Sequence, residues 1–129
     1  MNFSAIANLR GLRAGTNPND VSSVEQQLGV RLPSEYIQFL MFSDGCLLES
    51  GLSLYPLEDL AERNQTYEIF EYTPGYLLIG DDSGGMGILL SLDASQKSIY
   101  ASGLGDLSPS GFKVIASSLQ AWIDGHLAL

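Results

Sequence analysis

The stretch that decides the fold is Tyr76-Leu77-Leu78-Ile79-Gly80-Asp81-Asp82-Ser83-Gly84-Gly85-Met86-Gly87-Ile88-Leu89-Leu90-Ser91-Leu92. Two short apolar runs, Tyr76 to Ile79 and Gly87 to Leu92, flank a connection rich in residues that accept positive φ. That is the pattern of a hairpin between two buried strands. Downstream, Ser98 to Ala101 predicts a third strand after the polar turn Asp93 to Lys97, and Phe112 to Ile115 a fourth at a sheet edge. Ser117 or Ser118 caps a last helix, in which Leu119, Trp122, Ile123 and Leu127 recur at helical spacing.

Upstream of the hairpin the period changes to that of helices. Ser4 to Arg13 reads as a short first helix with Ile6 and Leu9 on one stripe, weakened by Gly11, and Thr16-Asn17-Pro18-Asn19 is turn chemistry. A second helix starts near Asp20 or Ser22, the latter at capping-box distance from Glu25. It carries Val21, Val24 and Leu28 along one face and closes at Gly29. Pro33 suits the first position of a third helix, whose Tyr36, Ile37, Phe39, Leu40 and Phe42 make a broad apolar face ended by Asp44-Gly45. Leu52, Leu54 and Tyr55 suggest a short strand, and Pro56 to Leu60 a turn entering a helix through about Asn64. Gln65 to Tyr72 is compatible with irregular or helical structure. Helices, then an antiparallel meander of about four to five strands, then a helix: this order predicts an α+β fold with helices packed against the sheet.

At 129 residues and 45% apolar content the chain suits a single domain, 1–129, with one core. No apolar stretch approaches the ~20 residues of a membrane span, and Met1 to Leu12 lacks the pattern of a secretory signal. Cys46 is the only cysteine, which excludes an internal disulfide and points to a reducing, cytoplasmic setting.

The net charge of −9 is concentrated in the middle of the chain. Up to Ser43, Arg10, Arg13 and Arg31 balance Asp20, Glu25 and Glu35, and from Ala94 onward Lys97 and Lys113 balance Asp106 and Asp124. Between them Asp44, Glu49, Glu58, Asp59, Glu62, Glu68, Glu71, Asp81, Asp82 and Asp93 face only Arg63. Such a field repels nucleic acid and anionic membrane and draws a cationic partner. The plainer reading is that the charge keeps the protein soluble.

Groups for catalysis are sparse. His126 is the only histidine, so a histidine metal cluster or a Ser-His-Asp triad has little to build on, and a place near a helix C-terminus explains it structurally. Cys46 has no second thiol beside it and reads as a buried or incidental one. Asp81-Asp82 beside Gly84-Gly85 has the carboxylates for a hard cation or for acid–base work, but it lacks an EF-hand's alternating ligands. Its glycines precede no helix, so phosphate-loop logic fails as well, and a charged turn is the stronger reading. Tyr55, Tyr67, Tyr72, Tyr76 and Tyr100 have no interleaved bases and do not form a nucleic-acid stacking platform.

Three segments, in order, resemble the SUKH superfamily, named after yeast cell-wall assembly regulators and their bacterial relatives. The first is Val21-Ser22-Ser23-Val24-Glu25-Gln26-Gln27-Leu28-Gly29-Val30-Arg31-Leu32-Pro33-Ser34-Glu35-Tyr36-Ile37-Gln38-Phe39-Leu40, similar to the family's helix, Leu-Gly, Leu-Pro, acidic-Tyr, Phe-Leu signature. The others are Tyr76 to Gly85, a strand ending in Gly-Asp and glycines, and Ala116 to Ile123, a closing Ala-x-Ser helix with Leu119 at a common phenylalanine position. The resemblance implies a fold without an established catalytic site, cofactor or metal. It also implies an immunity protein that binds and neutralises a polymorphic toxin, often a basic nuclease. The alternative is a regulatory or scaffold module with a non-toxin partner. On the electrostatic reading Asp81 and Asp82 contact cationic toxin residues, Glu49, Glu58 and Asp59 widen the field, and Tyr55 supplies an anchor.

Overall fold

The computed structural model describes residues 1–129. In chain order its elements are α1 (Pro18–Leu28), α2 (Ser34–Phe42), β1 (Cys46–Leu47), β2 (Ser53–Leu54), α3 (Leu60–Thr66), α4 (Ile69–Tyr72), β3 (Tyr76–Asp81), β4 (Met86–Ser91), β5 (Ile99–Gly103), β6 (Lys113–Ala116) and α5 (Leu119–Asp124). The strands pair antiparallel in sequence order, β1 through β6, so the sheet is an uninterrupted meander. The α+β architecture follows the sequence pattern, with six strands in place of about four to five. The short strand suggested by Leu52, Leu54 and Tyr55 is β2, whereas β1, two residues long, is too short for an alternating pattern to announce it.

The hairpin of β3 and β4 forms the middle of the sheet, and Leu77, Leu78, Ile79, Ile88, Leu89 and Leu90 are all buried. A bulge between Leu78 and Gly80 shifts the register, and there Asn64 of α3 enters the ladder. Its Nδ2 donates to the carbonyls of Leu60 and Leu78, both at 2.9 Å, and its Oδ1 accepts from the Leu78 amide at 2.9 Å. Backbone groups that the bulge disturbs are thereby satisfied by a polar side chain sealed inside the protein. Tyr36, Phe39 and Leu40 of α2, with Leu119, Trp122 and Ile123 of α5, belong to the same core of 26 buried residues.

Three helical expectations are corrected. Residues 4–13 form successive tight turns and no α-helix, with Phe3 and Ile6 carbonyls accepting from the amides three residues on. Gly11 is the cause: at φ 95° its carbonyl accepts from the Leu47 amide at 3.0 Å, and Leu12 forms a bridge to Cys46. A Cβ at Gly11 would overlap the Leu47 carbonyl, so only glycine lets this segment lie along β1. Helix α1 begins earlier than its apolar stripe suggests. Asn17 is the cap, accepting from the Asp20 amide at 2.9 Å, and Pro18 opens the helix. Glu25 closes no capping box with Ser22 and accepts instead from the Leu32 amide at 2.7 Å, which ties the α1–α2 turn.

Finally, α5 stops at Asp124, before Leu127. His126 and Leu127 adopt left-handed backbone, and the Leu127 amide donates back to the Trp122 carbonyl at 2.8 Å. Leu127 still reaches the core, by a terminal turn and not by helical periodicity. Residues 65–72 are helical in two pieces, broken at Glu68 with φ 53°.

Candidate functional site

Asp81 and Asp82 sit where the hairpin reverses, and each carboxylate is occupied by its own loop. Asp82 Oδ1 accepts from the Gly84 and Met86 amides at 2.7 and 3.0 Å. Those N–H groups, Met86 first, stabilise the charged form and hold the carboxyl below its usual range. Asp81 Oδ1 accepts from the Ser83 amide at 2.9 Å, and its Oδ2 accepts from the Tyr55 hydroxyl at 2.7 Å. Ser83, at φ 65°, donates its hydroxyl to the Gly51 carbonyl at 2.7 Å, which joins the β3–β4 loop to the β1–β2 loop. Polar turn chemistry is the first role of this Asp-Asp pair.

Tyr55 is buried, 5% exposed, with the Arg63 guanidinium 5.6 Å from its ring centroid. Burial, then the Asp81 hydrogen bond, push its phenol well above the ordinary range. Arg63 also lies 3.4 Å from Glu62. The one arginine of the acidic segment is therefore committed to its own neighbours.

The remaining carboxylates named from the sequence fall in different places. Glu49 lines a concavity with Arg10 and His126. Glu58 lines another with Asp20 and Asp44, while Asp59 is exposed beside it in a single helical turn that leads into α3. The structure brings Asp81 to Tyr55 and Glu58 to Asp20 and Asp44. It does not gather Glu49, Glu58, Asp81 and Asp82 into one concavity.

A further acidic feature is one that the charge tally along the chain does not reveal. Two adjoining depressions along α1 share Gln27, one against Asp44 and the helical turn Leu57–Asp59, the other against α3 and α4. Asp20, Asp44 and Glu58 stand at one end, Glu68 and Glu71 at the other, and neither depression is lined by a lysine or arginine. Leu28, Ala61 and Phe70 supply apolar surface in the depression that holds Glu68 and Glu71, and Phe70 is 37% exposed. Asp20 comes from the electrically balanced part of the chain, so only helix packing brings it into this group.

Burial of Cys46 pushes its thiol up to about 11, against a smaller opposing effect of a backbone hydrogen bond with Leu54. No group of three or more histidine, cysteine, aspartate or glutamate side chains is arranged to hold a metal ion. No helix is long and apolar enough to cross a membrane.

Comparison with known proteins adds two findings. The family model for the SMI1 / KNR4 family (SUKH-1) matches residues 15–125, which include every helix and strand of the fold. The Bacillus subtilis (strain 168) protein YnaB is 31% identical over 90 residues, 60% of this chain. The match likewise spans 60% of the length of YnaB.

Proposed function

The chain belongs to the SMI1/KNR4 family (SUKH-1), and from that premise we propose that it is a non-catalytic protein-binding module of the immunity type. It binds and neutralises a cognate bacterial toxin with a basic surface, a nuclease being the fitting class, and it acts in the cytoplasm. The observation that carries this reading is the α1–α3 groove, with five carboxylates and no base along it. A nuclease must attract phosphate, so its working surface is cationic, and an acidic inhibitor competes for that surface and associates quickly. Asp81, Asp82, Glu49 and Asp59 extend the negative field, while Tyr55 acts by fixing Asp81. The thiol of Cys46, neutral at physiological pH, fits a binding role better than covalent catalysis.

The test pairs the protein with the toxic domain encoded beside its gene. Titration calorimetry at low and high salt should show tight binding that weakens at least about tenfold as screening shortens the reach of the charges. Co-expression should protect cells from the toxic domain. No complex and no protection would overturn the reading. Capture of a cell-wall-related protein, with no toxin gene adjacent, would favour the regulatory module instead.

A further inference from the structure

We infer that the α1–α3 groove receives a basic amphipathic helix of the partner protein, which deepens and rests on the binding role proposed above. Three features define the occupant. The groove follows α1, with the helical turn Leu57–Asp59, α3 and α4 along its other side, and a furrow beside a helix accepts the side-chain ridges of another. Its floor offers Leu28, Ala61 and the half-open Phe70, an apolar strip suited to one face of an amphipathic helix. Acids accompany that strip, Glu68 and Glu71 in the same depression and Asp20 and Glu58 in the adjoining one, all exposed.

Charge complementarity selects the sign of the occupant. A second copy of a chain carrying −9 would bring like charge to a groove that holds no base of its own, and nucleic acid or an anionic lipid surface would be repelled in the same way. Length follows from α1, whose 11 residues span about 16 Å at 1.5 Å per residue. The occupant is thus a helix of about three turns, with lysine or arginine near both ends and leucine-like residues between them.

The test uses a synthetic 14-residue lysine–leucine peptide of helical amphipathic pattern and a scrambled peptide of the same composition, each titrated into isotopically labelled protein. Backbone amide shifts should concentrate on α1, α3 and α4, and the patterned peptide should bind at least about fivefold more tightly than the scrambled one. The pair E58K and E71K should weaken binding more than about tenfold. D124K, outside the groove, should change it less than about twofold. Thermal melts of each variant confirm that these exposed substitutions leave the fold intact. Equal binding of both peptides, or shifts centred on the β3–β4 loop, would overturn the groove assignment while leaving an acidic protein-binding role in place. Absence of any salt-sensitive binding to the peptides, together with no complex with the adjacent toxic domain, would overturn both.

Discussion

Replacing Asn64 by alanine should cost about 2.4 kcal/mol of stability. The side chain is 1% exposed and makes three hydrogen bonds, two donated to the Leu60 and Leu78 carbonyls and one accepted from the Leu78 amide. At about 1 kcal/mol net for each bond, the loss is about 3 kcal/mol. Alanine's better helix propensity returns about 0.6 kcal/mol. With about 2.1 cal/mol/K of unfolding entropy per residue, a 129-residue chain should lose about 9 °C in Tm. Urea denaturation followed by tryptophan fluorescence measures it through Trp122. Asn64→Asp adds a signature that packing alone would not give. Its carboxylate accepts from the Leu78 amide but cannot donate to either carbonyl, and its burial raises the folded-state pKa. Its stability deficit should therefore be smallest at low pH, where the acid is protonated and can donate, and should grow as pH rises through the raised folded pKa. An Asn64→Ala cost under about 1 kcal/mol would refute the claim that this residue locks α3 to the β3 bulge.

Cys46 should resist a thiol reagent at pH 8 in the folded protein and react at once after denaturation, because burial holds its pKa at about 11; rapid labelling of the native state would contradict this placement. Tyr55→Phe removes the hydroxyl that donates to Asp81 and should destabilise the protein by about 1–2 kcal/mol, read from the denaturation midpoint, while an unchanged midpoint would show that the bond contributes nothing. Asp82 has a folded pKa below its unfolded value, so its contribution is complete above that unfolded value, near 3.8, and is lost as pH falls through the lower folded pKa. Asp82→Asn should flatten that part of the stability–pH curve, and an identical curve for the two proteins would count against the loop bonds.

The hairpin, the α2 helix and the closing helix were legible because their signals are local. Apolar runs around a Gly/Asp turn, Tyr36, Phe39 and Leu40 on one helical face, and Ser118 before Leu119 need no distant partner to be read. The turns at 4–13 escaped because their conformation answers to β1, against which Gly11 must lie, and nothing near Gly11 in sequence encodes that contact. Asn64 reads as an ordinary helix residue until the β3 bulge is placed beside it.

Sequence alone set the acidic surplus, its confinement to the middle of the chain and the scarcity of catalytic side chains. It could not say which carboxylates are free. Hydrogen bonding takes Asp81 and Asp82 into their own loop, since turn amides lie within reach of short side chains two to four residues back. Asp44 is likewise held, accepting from the Leu57 amide at 2.7 Å, while folding brings Asp20 and Glu58 to line one depression and Glu68 and Glu71 the next. Charge is a property of residues one at a time, whereas a binding surface depends on which residues the folded backbone makes neighbours.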